Sequence, residues 1–99
     1  MSEHATISTD ILASYAADAA REVEGVRSIV ESPLPRSRGV RVTEEEGRVT
    51  VELHLALDWG VSIPDVGREV QRRVGEYLLR MADVTAPTID VVVDDIVDS

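Results

Sequence analysis

The stretch from Val49 to Asp58 constrains the fold of this 99-residue chain more than any other. Val49, Val51, Leu53, Leu55 and Leu57 alternate with Arg48, Thr50, Glu52, His54, Ala56 and Asp58. Successive side chains of a strand point to opposite faces, so this pattern predicts a long strand with one buried and one mostly polar face. The register is strict, because a one-residue slip turns the whole apolar set outward. A sheet built around such a strand needs a covering layer on one side only.

Two amphipathic segments can supply that layer. Between Thr9 and Glu24, the residues Ile11, Leu12, Tyr15, Ala16, Ala19 and Val23 form one helical stripe. Ser8 or Thr9 can cap this helix, with Asp10 in its first turn. Gly25 is expected to end it as a C′ residue, with Val26 making the accompanying apolar contact. Ile63, Val66, Val70, Val74, Tyr77, Leu78 and Met81 line one face of a second helix of about 19 residues. Ser62 and Asp65 resemble a capping box with Asp in place of Glu, and Pro64 suits the first turn.

Val40 and Val42 alternate with Arg41 and Thr43, and Glu44 to Gly47 reads as a turn. Ile89 to Val97 is a last, valine-rich strand. Residues 26–31 are short and β-prone, and 32–39, with Pro33 and Pro35, read as an irregular loop. The expected fold is α+β in the order α-β-β-α-β, with an optional extra strand at 26–31. It has one small, mainly antiparallel sheet with two helices on one face. Val51, Leu53, Leu55, Val70, Val74 and Leu78 are the expected core. Residues 1–6 read as a flexible tail and 7–99 as a single domain, since the chain has no material for a second core.

Composition excludes several kinds of chemistry. There is no cysteine, hence no thiolate zinc site, cysteine-ligated cluster or cysteine nucleophile. No apolar run approaches the ~18 residues of a membrane span. Met1 to Asp10 lacks the basic and apolar regions of a secretory signal. A cytoplasmic protein without direct membrane insertion is expected. Net charge is −9, with ten arginines and no lysine, which opposes binding to phosphate backbones and anionic lipid.

Catalytic or metal-binding patterns are sparse. His4 lies in the tail and His54 on the polar strand face, where no second histidine or regular carboxylate spacing converges on either. Asp90, Asp94, Asp95 and Asp98 do not follow the spacing of a calcium loop. Glu44, Glu45 and Glu46 suit a solvated turn. Gly60 and Gly67 form neither GxGxxG nor a P-loop. No nucleophile–base pair can be assembled, so neither an enzyme nor a cofactor is expected. The element order resembles small KH-type nucleic-acid-binding domains, the principal alternative, but their GXXG loop is missing and the charge is wrong. It also resembles iron–sulfur assembly scaffolds, whose cysteines are absent.

Two features point to protein partners. Residues 27–41 hold Arg27, Arg36, Arg38 and Arg41 against Glu31 alone, whereas 83–99 hold Asp83, Asp90, Asp94, Asp95 and Asp98 with no arginine. Trp59, the single tryptophan, stands at the strand–turn boundary, where it either caps the core or anchors an interface. The candidate interaction residues are therefore Arg36, Arg38, Arg41, Trp59, Asp90, Asp94 and Asp95.

Four ordered stretches carry a family resemblance. They are Ile7 to Leu12 leading into the alanine-rich Ala16 to Val26, then Gly39 to Val42 followed by Val49 to Leu55. Trp59 to Val66 and Ile89 to Val93 complete the set. Together, over about residues 7–97, they resemble the alkaline-shock protein family, the envelope stress response proteins of Gram-positive bacteria. The resemblance implies a non-enzymatic role in cell-envelope homeostasis. It also implies self-association, as a homo-oligomer or filament, and a peripheral position at the cytoplasmic membrane face through a membrane-anchored protein partner. The expected self-contact joins the basic 36–41 loop of one copy to the acidic 90–98 end of another.

Overall fold

The computed structural model describes residues 8–31, 39–86 and 88–98, so the expected 1–6 tail, Arg36 and Arg38 lie outside it. The elements are α1 (Thr9–Arg21), β1 (Val26–Ile29), β2 (Val40–Glu45), β3 (Arg48–Asp58), α2 (Ile63–Ala82) and β4 (Thr88–Val97). The short 26–31 segment does contain a strand, so the order is α-β-β-β-α-β within the expected α+β class.

β3 is the centre of the sheet. β2 pairs antiparallel with its first half, from Glu45 opposite Arg48 to Val40 opposite Leu53. Glu46 and Gly47 join the two strands with φ of 54° and 80°, the positive pair that a tight hairpin turn demands. β1 pairs antiparallel with the second half, Ile29 opposite Leu55 and Val26 opposite Leu57. β1 and β2 thus lie end to end along one side of β3. His54 spans their junction: its carbonyl accepts the Val30 N–H and its N–H donates to the Gly39 carbonyl, both at 2.8 Å. β4 runs along the other side of β3, from Thr88 beside Thr50 to Val97 beside Asp58. That pairing is parallel, since α2 carries the chain back across the sheet before β4 begins.

Both helices cover one sheet face. Leu53, Leu55, Leu57, Val51, Val70, Val74 and Leu78 are all fully buried between the layers. Ala16, Ala19 and Ala20 of α1 are buried too, and their small side chains allow close packing. Tyr15 and Tyr77 join the helices edge-to-face at 5.9 Å between ring centroids. Among the described residues no polar or charged side chain is buried. Ile11, Ile63 and Met81 belong to the helical stripes, yet each sits in a terminal turn and remains exposed.

The helix ends differ in part from expectation. Ser8 caps α1, its side chain accepting the Ile11 N–H, but the α-helix stops at Arg21. Gly25 falls beyond a further turn, with φ of 99°. The early stop lets Val23 turn into the core and delivers Val26 into register with Leu57. In α2, Ser62 accepts the Asp65 N–H at 3.4 Å. The Asp65 carboxylate pairs forward with Arg68 at 2.6 Å, so only half of a capping box forms. α2 ends at left-handed Asp83, with the Val84 N–H reaching back to the Leu78 carbonyl at 3.3 Å, a Schellman-type end without glycine.

Candidate interaction surface

The sheet face away from the helices is open, and a row of charges crosses it. Arg41 on β2 lies 3.5 Å from Glu52 on β3. Glu52 Oε2 lies 2.6 Å from His54 Nε2, and Asp94 Oδ2 on β4 lies 2.8 Å from His54 Nδ1. Residues two apart on a strand share a face, which puts Glu52 beside His54. A β-bulge opposite the Leu55–Ala56 step brings Asp94 to the other ring nitrogen. Both ring nitrogens face carboxylate oxygens, and a neutral imidazole has only one N–H, so this geometry calls for the imidazolium. The hydrogen bond to Glu52, then that to Asp94, holds the His54 pKa above its usual value. The same histidine contact, aided by Arg41, pulls the Glu52 carboxyl below the usual range despite some desolvation.

The outer edge of β4 pairs with no strand among the described residues. Its two ends are nonetheless capped. Gln71 Nε2 on α2 donates to the Ile89 carbonyl at 2.9 Å, and the Ile96 N–H donates to Asp95 Oδ1 at 2.9 Å. His54 directs its backbone groups towards β1 and β2, so by alternation Leu53 and Leu55 direct theirs to β4. The residues beside them in the parallel ladder, Val91 and Val93, turn their own groups to the outside. An uncapped edge therefore remains only in the middle of the strand.

The third feature is the end of the molecule where β3 passes into α2. Trp59 is 73% exposed there, so it does not cap the core. Gly60, at φ of 93°, makes the turn, and Ile63 is 43% exposed. Asp58, Trp59, Gly60, Val61, Ile63 and Ile96 line a mainly apolar hollow of about 330 Å³. A second hollow, of about 430 Å³, also reaches the first turn of α2 and is lined by Glu22, Val23, Glu24, Asp65, Val66, Glu69 and Arg73. Gly25 sits against the residues that line both. A Cβ on it would lie 2.9 Å from Val66 and 3.4 Å from Val61.

The candidate residues from the sequence thus separate. Arg41 and Asp94 end the same intrachain row, linked through Glu52 and His54. Asp90 stands beside Glu52 in register on the open face, and Asp95 is turned onto its own strand's N–H. Trp59 is at the far end of β3, its N–H donating to the Val97 carbonyl at 2.9 Å. Sequence reasoning passed over Glu52, Ile63, Ile96 and the pairing of His54. The Glu52–His54 spacing was a usable sign; the approach of Asp94 depends on a bulge that no local pattern marks.

These features define a two-layer α+β domain in which no described charged side chain is buried. The chain belongs to the alkaline shock protein 23 family, described by a cell envelope-related function, whose family model matches residues 1–98. Spy1535, an uncharacterized protein of Streptococcus pyogenes serotype M6, is 31% identical over 99 residues, covering 92% of this chain and 77% of that protein. YqhY, an uncharacterized protein of Bacillus subtilis, is 27% identical over 95 residues, covering 86% of this chain and 70% of its own. Among solved structures, MamM-CTD 215–293 superposes with a TM-score of 0.65 at 13% identity, covering 89% of this chain and 99% of that one. A cadmium form of MamM CTD gives 0.64 at 14% identity, covering 89% and 98%. At that identity the likeness is one of fold. No described helix is long and apolar enough to cross a membrane.

Proposed function

We propose that this protein is a non-enzymatic module of cell-envelope homeostasis that associates with itself and docks onto a membrane-anchored protein partner. The observation that carries docking is Trp59, the only tryptophan, standing 73% exposed over an apolar hollow. Tryptophan is the residue type most enriched at binding hot spots, and a small domain gains nothing for its own core by leaving it in water. Binding without catalysis is supported by the placement of the titratable cluster. Glu52, His54 and Asp94 pair with one another on an open face, and all three remain partly exposed to water among the described residues.

Self-association joins the arginine-rich 36–41 stretch of one copy to the acidic 90–98 end of another. Arg41 and Asp94 already have intrachain partners, so Arg36 and Arg38 act with Asp90 and Asp95. Exposed pairs contribute only about 0–1 kcal/mol each, so assembly is weak and falls with salt. A contact of this head-to-tail kind can propagate into filaments.

Sedimentation with membranes tests the docking. The protein is expected to pellet with native cytoplasmic-face vesicles, and to stay in solution with protease-shaved vesicles or with protein-free lipid. Equal pelleting with all three, or with none, overturns the proposal. Sedimentation velocity of the wild type and an Arg36→Glu, Arg38→Glu variant tests the self-contact. A salt-independent dimer, or a double variant that assembles normally, removes it.

A further inference from the structure

Resting on the docking role proposed above, we infer that the β3–α2 end takes a segment of a protein partner that sets a bulky apolar residue beside arginine or lysine. Two hollows meet the first turn of α2, and they differ in chemistry. One is walled by Trp59, Val61, Ile63 and Ile96, with Trp59 and Ile63 both widely exposed, and it is large enough for one or two aliphatic side chains. The other carries four carboxylates, from Glu22, Glu24, Asp65 and Glu69, against the single guanidinium of Arg73.

Arg73 is one guanidinium shared between two carboxylates of this acidic side. It stands 3.7 Å from Glu22 and 3.8 Å from Glu69, both long for a charge-assisted bond. Arg68 and Arg72 hold Asp65 and Glu69 more closely, at 2.6 Å each, but on the exposed surface of α2 where such pairs are weak. Counting Glu76, which shares Arg72, five carboxylates meet three guanidiniums here, so an excess of negative charge remains on one side of a helix turn whose other side is apolar. The chain's acidity continues past the apolar hollow at Asp95 and Asp98, both exposed. An apolar residue alone would leave the excess charge unanswered, and a purely basic segment would leave Trp59 in water. A segment with both satisfies both hollows.

A second copy of this chain is a poorer occupant, because the self-contact proposed above already engages its Arg36 and Arg38 with Asp90 and Asp95, and the rest of the chain is strongly acidic. An anionic bilayer is repelled by that acidity. Gly25 packs closely against Val61 and Val66, which line one hollow each.

Trp59 reports on its own site, since no other tryptophan contributes emission. The test titrates the full chain with a short peptide of leucines flanked by arginines. Two control peptides replace the leucines by serine or the arginines by glutamate. The expected result is a saturable blue shift of Trp59 emission with the first peptide and none with the controls. Ile63→Ser and Glu24→Lys should each weaken binding about tenfold, the scale of a hot-spot contact. Both replaced residues are exposed, so the fold is retained, and far-ultraviolet circular dichroism checks it. No shift, an equal shift with either control peptide, or unchanged affinity in both variants overturns the inference. So does a shift produced by protein concentration alone or by phosphatidylcholine vesicles, which assigns the site to a second copy or to lipid. Native membranes separate this inference from the reading beneath it. If they pellet wild type and Ile63→Ser equally, docking stands and this location falls; if they pellet neither, docking itself falls.

Discussion

Leu53→Ala probes the layer that the alternating strand builds. Leu53 is fully buried at the middle of β3, between Val40 on β2 and Val91 on β4 in register. The change removes the side chain beyond Cβ. At about 0.8 kcal/mol per carbon the transfer loss alone is about 2.4 kcal/mol. The cavity adds to it, because strands fixed on both sides limit collapse, and the total should reach about 3–4 kcal/mol. A domain of this length is stable by only about 5–15 kcal/mol, so a large share is at stake. Urea unfolding should be followed by far-ultraviolet circular dichroism, since the exposed Trp59 changes environment little on unfolding. Thr43→Ala, exposed on the opposite sheet face, is the control and should lose less than about 1 kcal/mol. A Leu53→Ala loss below about 0.5 kcal/mol, or one equal to the control, would mean that the buried face of β3 is misassigned.

Other outcomes follow from particular contacts. A Cβ on Gly39 collides with the Ile29 side chain and lies 2.8 Å from the Val30 carbonyl oxygen, so Gly39→Ala should destabilise by about 1–3 kcal/mol in the same unfolding assay. Gly60→Ala meets open space and bears only the strain of its positive φ, about 1 kcal/mol. If Gly39→Ala unfolds like the wild type, the close meeting of β1 and β2 is wrong. His54 has a raised folded pKa, so its contribution is complete below its usual value of 6.5 and is lost as pH rises through the elevated one. Glu52, lowered from 4.5, contributes above that value and loses its contribution as pH falls through its depressed pKa. His54→Gln should therefore flatten the decline in urea midpoint as pH rises above 6.5; an unchanged decline refutes the pairing. Generic single-stranded RNA and duplex DNA should show no binding at about 0.15 M salt, and micromolar binding with a steep salt slope would revive the KH-like alternative.

The sequence by itself determined the layers. Alternation from Val49 to Leu57 and the stripes of α1 and α2 each state one apolar face, and burial is a local property of such patterns. Ser8 or Thr9 and Ser62 as caps, a turn between Glu44 and Gly47 and the family were legible for the same reason, but pairing with Val49 and Arg48 draws Glu44 and Glu45 into β2 and leaves only Glu46 and Gly47 to turn. Tertiary structure decided what lies beside what. Residues 26–31 are too short to declare a strand alone; β1 exists because Ile29 and Val26 find Leu55 and Leu57 across the sheet. β4 is valine-rich wherever it pairs, and only its parallel register, with a bulge, carries Asp94 to His54. Trp59 was ambiguous in sequence because tryptophan suits a core and an interface equally well. Its exposure follows from the turn at Gly60, which leads the chain into α2 and leaves the indole outside the layers that bury every leucine of β3.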